Sequence, residues 1–311
     1  MRTAPAVFAT LTLLAFLAAK VLPHSTVLFE IPAWVTPAGA IAGIAAAIAL
    51  PTRRHRTAFT ITGVALVLLL WSAGGLLFDI VMPITWLLVP DWPMPDWPMG
   101  ATRALALTSA ILLFRALVRR RRQLRGECLG CGWGGEPVRQ RLWLGYAGLL
   151  FGLPYPVLKT IWALGGTIGL DYPVPERDGF TSGWLVVPVA LVGLVLSPAL
   201  VHRWGRIWPR WVPGLAGKPT PRGLLLFGGW FGSALLLTMG IPAVMLELGF
   251  TGGVQPRPIP GMHAWPSALF YTSWFFWGLV LTPATRLYQL RTRQRCRSCD
   301  RAPALEGTMG R

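Results

Sequence analysis

Eight long apolar segments dominate the sequence and constrain its fold more than any other feature. A helix needs about 20 predominantly apolar residues to cross the hydrocarbon layer of a bilayer, and each segment approaches that length. Hydrophobic residues make up 53% of the 311 residues and charged residues only 13%, which excludes an ordinary soluble domain. The sequence therefore predicts an all-α integral membrane protein with eight transmembrane helices. These helices are expected at residues 4–22, 31–50, 59–82, 101–118, 144–170, 183–201, 223–250 and 264–282.

The basic residues indicate how these helices are oriented. Lysine and arginine favour cytoplasmic connections, and 24 of the 29 basic residues fall in one set of alternate connections, together with four acidic residues. The other set holds five basic and eight acidic residues. This asymmetry predicts a multi-pass membrane protein with both termini in the cytoplasm, which in a bacterium means the inner membrane. It also accounts for the net charge of +17 without a nucleic-acid partner, and anionic lipid headgroups at the cytoplasmic face are the expected counter-charge.

An internal duplication is indicated by two features that share one offset. A shift of 168 residues places the first C-x-x-C motif on the second, and the same shift places Asp79 on Glu247. The motif residues are Cys128, Cys131, Cys296 and Cys299. Each half would contain an even number of spans, so both would enter the membrane in the same direction. The predicted organisation is two parallel four-helix halves, residues 1–135 and 136–311, each ending in a cytoplasmic C-x-x-C motif.

The two C-x-x-C motifs form the ligand pattern of a structural zinc site with four thiolates. The turn of each motif directs two sulfurs at one metal, and two motifs complete a tetrahedron. The 164 residues between the pairs exceed the usual spacing within a zinc ribbon, so this site requires the two halves to fold together. Two alternatives stay open. The thiols could be unreactive, or they could form a cytoplasmic redox pair, although no thioredoxin-like strand and helix surround either motif.

Four ionisable side chains in or beside the apolar segments are candidates for ion pairs or for a substrate site. Charges inside a bilayer are costly and usually have a partner. We expect Lys159 to pair with Glu247 in the outer half of the bilayer, and Lys20 to pair with Asp79 in the equivalent place of the first half. The structural interpretation is two ion pairs, or lysines that extend to the outer interface. The functional interpretation is an outward-facing polar pocket in which Lys159 meets an anionic solute or lipid group.

The fifth apolar segment contains the run Trp-Ala-Leu-Gly-Gly, from Trp162 to Gly166. It resembles a segment of uncharacterised multi-pass membrane proteins of actinobacteria, in which such a run closes an apolar helix. The resemblance covers one predicted helix of eight. It implies a bacterial membrane protein and carries no activity.

Motifs of the common enzyme classes do not occur in the sequence. It contains no Walker loop, dinucleotide fingerprint, nucleophile elbow or H-E-x-x-H motif, so no catalytic residue is assigned. Duplicated halves with charges at their interface are typical of carriers. The first hypothesis is therefore transport of a small solute or lipid, or a transport-associated subunit. The alternatives are a membrane scaffold or accessory protein that docks a cytoplasmic partner, and a membrane-embedded lipid-modifying enzyme, for which an acid–base constellation is lacking.

Overall fold

The described part of the chain is all-helical. The computed structural model describes residues 3–21, 31–52, 54–88, 95–132, 141–171, 186–250 and 261–293, together with Cys296 and Cys299. These residues form ten α-helices and contain no β-strand. The helices are α1 (Ala4–Val21), α2 (Val35–Ala49), α3 (His55–Ser72), α4 (Leu76–Leu88), α5 (Trp97–Leu124), α6 (Leu142–Gly152), α7 (Pro154–Ala163), α8 (Val186–Ala199), α9 (Arg222–Glu247) and α10 (Ala264–Arg291). Four of them, α1, α3, α5 and α9, are long and apolar enough to cross a membrane, as the predicted membrane class requires, and the count of eight spans stays a prediction.

The third predicted span, residues 59–82, is two helices rather than one. Helix α3 ends at Ser72 and α4 begins at Leu76. Between them, Gly75 has a φ of +88°, a left-handed conformation that favours glycine. Gly74 allows Pro242 to pack closely against the backbone, because a Cβ at this position would lie only 2.6 Å from Cγ of Pro242. The two glycines therefore break the helix in the middle of an apolar run.

The fifth predicted span, residues 144–170, is also divided, and its last residues are not helical. Pro154 begins α7 directly after α6, because its ring lacks the amide hydrogen of a continuous helix. Helix α7 ends at Ala163, where Gly165 has a φ of +87°. The N–H of Gly165 donates to the Trp162 carbonyl at 3.0 Å, and the N–H of Gly166 donates to the Ile161 carbonyl at 2.9 Å. This is a Schellman motif, so the Trp-Ala-Leu-Gly-Gly run caps the helix.

The described chain divides into two compact units, and the first comprises residues 1–126 and 241–256. Within it, α1 packs against α2 and α5, and α3 packs against the same two helices. Hydroxyl pairs join these helices: Thr12 Oγ1 lies 3.1 Å from Ser109 Oγ, and Thr36 Oγ1 lies 2.8 Å from Ser72 Oγ. Such pairs satisfy polar atoms where lipid offers no partner.

The second unit comprises residues 127–240 and 257–311. Helix α6 packs against α8 and α10 around the indole ring of Trp277. Glycines make room for this ring, since a Cβ at either Gly152 or Gly193 would lie 3.0 Å from it. The indole N–H of Trp277 donates to Ser197 Oγ at 2.9 Å. The boundary expected between residues 135 and 136 lies outside the described residues. The two compact units are defined by contacts and not by sequence duplication, so the two repeated halves stay a prediction.

Candidate metal centre

The first C-x-x-C motif forms a tight turn after α5. The helix ends at Leu124, and Gly126 takes a φ of +64°, which turns the chain away from the helix axis. Within the motif, the N–H of Gly132 donates to the Cys128 carbonyl at 2.7 Å, and Gly132 itself has a φ of +71°. The small residues of Cys-Leu-Gly-Cys-Gly therefore fold the chain so that Cys128 and Cys131 lie on the same turn.

Hydrogen bonds within the cluster stabilise a thiolate at Cys128. The backbone N–H of Cys131 is the largest cause, and the thiols of Cys131 and Cys299 and the N–H of Gly130 add to it. Together they lower the pKa of the Cys128 thiol from 9.0 to about 6. Hydrogen bonds to the charged form favour that form. Metals bind thiolates rather than thiols, so the turn prepares Cys128 as a ligand near neutral pH.

The second motif follows α10, whose C-terminal end is anchored by two side-chain hydrogen bonds. Helix α10 ends at Arg291, and Thr292 Oγ1 donates to the Tyr288 carbonyl at 2.7 Å. Nε of Arg222, at the start of α9, donates to the same Thr292 hydroxyl at 3.1 Å. These contacts tie the exit of α10 to the entrance of α9, a few residues before Cys296.

The structure brings the sulfurs of the two motifs close enough together to bind one metal ion. Sγ of Cys128 lies 3.9 Å from Sγ of Cys296, and Sγ of Cys131 lies 3.6 Å from Sγ of Cys299. All four sulfurs lie within 4.8 Å of one another, and all four cysteines are free thiols. Zn–S bonds of about 2.3 Å place tetrahedral sulfurs about 3.8 Å apart, whereas a disulfide requires about 2.05 Å. The donor set therefore fits a thiophilic metal ion such as zinc.

Asp79 pairs with Arg103 and not with Lys20, the partner expected from the sequence. Nη1 of Arg103 donates to the two carboxylate oxygens of Asp79 at 2.8 and 3.1 Å, and the Arg103 side chain is only 5% exposed. Asp79 lies in the first turn of α4, and Arg103 lies near the start of α5. Lys20 is exposed at the end of α1, with its Nζ 5.3 Å from the ring centroid of Phe16. The two helices that follow each other in the chain supply the pair.

Lys159 is buried on α7 among aromatic rings. Its Nζ lies 4.9 Å from the ring centroid of Trp162 and 6.0 Å from that of Tyr155, distances at which a cation is attracted to a ring face. Glu247, the expected partner of Lys159, is exposed at the last residue of α9. The pairing of Lys159 with Glu247 stays a prediction.

Comparisons with known proteins leave the site to be interpreted from its own chemistry. No protein-family model matches the chain, and no curated protein or solved structure is significantly similar to it.

Proposed function

We propose that this chain is an eight-span protein of the bacterial inner membrane whose cytoplasmic face is held together by a structural zinc ion and docks a partner protein. The zinc ion is bound by Cys128, Cys131, Cys296 and Cys299. The observation that carries the proposal is the close approach of four sulfurs from two distant motifs, all within 4.8 Å of one another. A structural zinc site holds its ligating segments in one conformation, and such a fixed surface suits protein docking better than catalysis. Arg291 and Arg293 precede the second motif, so we expect the partner to be acidic.

The duplication gains support from the helix boundaries. Helices α3 and α9 begin 167 positions apart, and so do α5 and α10, which both contain 28 residues. The pair Trp97-Pro98 at the start of α5 recurs 168 positions later as Trp265-Pro266 at the start of α10. The last two long helices of each proposed half therefore begin alike and are followed by the same cysteine motif. A zinc ion shared by the two motifs would join equivalent points of the two halves.

Zinc content tests the metal centre directly. Protein purified without chelator should hold about one zinc ion per chain, and Cys131→Ser should lose most of it, because a tetrahedral thiolate site does not tolerate a missing ligand. Cys131→His is the matched control: imidazole is also a zinc ligand, so this variant should retain the metal. Wild-type protein without zinc would refute the metal centre, and so would a Cys131→Ser variant that binds zinc as tightly as the wild type.

Docking is tested by isolating the protein from its native membrane in mild detergent. A partner should co-purify with the wild type and with Cys131→His, and should be lost from Cys131→Ser in proportion to the lost zinc. A partner retained equally by all three variants would contradict the role of the zinc-stabilised face in docking, while leaving the zinc measurement unaffected.

Transport of an anionic solute or lipid is the second candidate, and the burial of Lys159 favours it. An ammonium group held against Trp162 and Tyr155 within an apolar segment could meet an anionic group. Lys159→Met should then abolish flux in proteoliposomes at unchanged zinc content.

If Lys159 instead pairs with Glu247, the combination of Lys159→Met with Glu247→Gln should recover the thermal stability that the single change loses. Recovered stability without flux would favour the solute-binding role.

A further inference from the structure

The connection between α8 and α9 is an ordered hairpin at a membrane boundary. We call residues 206–220 the α8–α9 hairpin. Its two arms meet at an antiparallel bridge between Ile207 and Pro219. The N–H of Trp208 donates to the Lys218 carbonyl at 2.9 Å, and the N–H of Gly217 donates back to the Trp208 carbonyl at 3.0 Å. Because α9 is a candidate span that begins at Arg222, the hairpin must lie next to the surface at which that span starts.

The base of the hairpin is fixed to the neighbouring helices. The buried hydroxyl of Tyr288, on α10, donates to the Gly205 carbonyl at 2.9 Å. Gly205 packs directly on the Ala199 carbonyl at the end of α8, where a Cβ would collide with it. Thr220 Oγ1 donates to the Trp204 carbonyl at 3.3 Å, which closes the two ends of the connection. The hairpin is thus held in a defined position instead of hanging as a free loop.

This anchored hairpin exposes apolar side chains. Trp211 is 81% exposed, the highest value among the tryptophans of the described residues, and Ile207 is 48% exposed. Tryptophan at a membrane boundary typically lies at the level of the lipid headgroups, where its ring is partly apolar and its N–H can reach polar groups. Exposed rings on an ordered loop beside a bilayer are therefore expected to be covered by lipid.

The charge of the hairpin region complements an anionic surface. Arg206 and Arg210 lie on its first arm, Arg203 lies in the turn just before it, and Arg203 and Arg210 are exposed. No acidic residue occurs between residues 201 and 246, so no carboxylate in this stretch of sequence neutralises them. Arginines interleaved with tryptophans combine attraction to lipid phosphates with burial of apolar rings.

We propose that the α8–α9 hairpin docks on the anionic phospholipids of the membrane surface at which α9 begins. The indole ring of Trp211 and the aliphatic side chain of Ile207 enter the headgroup layer, and Arg203, Arg206 and Arg210 bind lipid phosphates. The hairpin would stabilise the start of α9 against the bilayer. This proposal is independent of zinc and of a docking partner, because it uses only residues of this connection.

The test is a measurement of lipid retention by native mass spectrometry. Full-length protein in mild detergent is titrated with phosphatidylglycerol and, separately, with phosphatidylcholine. The hairpin variant replaces Arg203, Arg206 and Arg210 with glutamine. The control variant replaces Arg56, Arg115 and Arg121 with glutamine. These three arginines are also exposed and lie in or beside the predicted cytoplasmic connections, so the control loses the same charge. Zinc content and thermal unfolding are recorded for both, which separates lipid binding from folding and from the metal centre.

We expect the hairpin variant to lose affinity for phosphatidylglycerol by about fivefold for each removed cation that meets a headgroup. Phosphatidylcholine binding should change less, and the control variant should bind both lipids nearly as the wild type does. The preference for phosphatidylglycerol should weaken at high salt, because exposed charges are screened. Equal losses in the two variants would overturn the proposal, because generic basicity would then explain binding, and so would no loss in the hairpin variant. If the triple variant fails to fold, the single change Arg210→Gln is measured instead, and it must also lower the affinity for phosphatidylglycerol, although by less.

Discussion

Asp79 and Arg103 form the best-defined buried ion pair of the described residues, and their coupling can be measured. Arg103→Met would leave the Asp79 carboxylate without its cation and should destabilise the protein by about 3–5 kcal/mol. Combining it with Asp79→Asn should recover most of that loss, because the cost comes from the orphaned charge. Arg115→Met, at an exposed arginine of the same helix, is the control and should change little. Thermal unfolding in detergent checks these three variants and the single Asp79→Asn change, and additive losses would contradict the pairing.

Cys128 provides a prediction about pH. Its pKa is lowered to about 6, first by the N–H of Cys131 and then by its thiol and that of Cys299. A depressed pKa stabilises the folded state above the ordinary thiol pKa, and this contribution declines as pH falls toward 6 and is lost below it. In metal-free protein, alkylation of Cys128, followed by peptide mass spectrometry, should therefore have its midpoint near pH 6. Cys299→Ala removes one donor and should raise the midpoint; an ordinary thiol midpoint in the wild type would contradict the hydrogen-bonded turn.

The candidate site could be predicted from the sequence only where it depends on a repeated motif. The shared offset of the two C-x-x-C motifs indicated that the cysteines come together, and the structure places them together. Arg103 was missed as a site residue because it was counted with the basic residues of an outer connection, although it lies within the predicted span 101–118. The signal was available, since Asp79 and Arg103 flank the same connection and helices joined by a short connection usually lie side by side.

At the scale of an element, helices α9 and α10 pack against each other at glycines that differ in how well they would tolerate substitution by alanine. A Cβ at Gly240 would lie 2.5 Å from the backbone nitrogen of Phe275, and backbone cannot rotate away. Gly240→Ala should therefore cost about 1–3 kcal/mol. Gly232→Ala, on the same helix, would place its Cβ 3.6 Å from Leu281 Cδ2, an ordinary contact, and should be neutral or stabilising because alanine favours helix. The measurement is the thermal unfolding of both variants. Equal unfolding temperatures would mean that α9 and α10 pack less closely at Gly240 than the structure shows.

Helix existence was easier to predict than helix continuity. Apolar length is a property of the local sequence, so the described helices fall within or close to the predicted spans. The break at Gly74 and Gly75 lies between apolar residues on both sides, and hydropathy does not distinguish it from continuous helix. The cap after Ala163 is similar, because residues 164–170 are also largely apolar yet turn. Positive φ at Gly75 and Gly165 ends these helices, and that conformation depends on packing as well as on residue type.

At the scale of the whole molecule, the thiol cluster closes a very long loop. The two motifs are separated by 164 residues, and the entropy of bringing such ends together disfavours contact in the unfolded chain. The four sulfurs can meet only once the intervening helices have packed. Metal binding should therefore stabilise the folded chain as a unit, since a ligand that binds only the native state shifts the unfolding equilibrium. The zinc content of the purified protein should therefore depend on correct folding of the second unit as well as on the presence of the four cysteines.

Topology is the prediction that concerns the whole chain. Because basic residues are concentrated in one set of connections, reporter fusions after residues 56, 126, 216 and 305 should report the cytoplasm, and fusions near residues 28, 94, 175 and 257 should report the outside. The outer fusion points and residue 305 lie outside the described residues, so they test the eight-span count independently of the helices described above. Four spans alone would interrupt the alternation, because several successive fusions would then report the same side. An outside signal after residue 126 would reverse the orientation and remove both motifs from the cytoplasm, where thiols stay reduced and available for zinc.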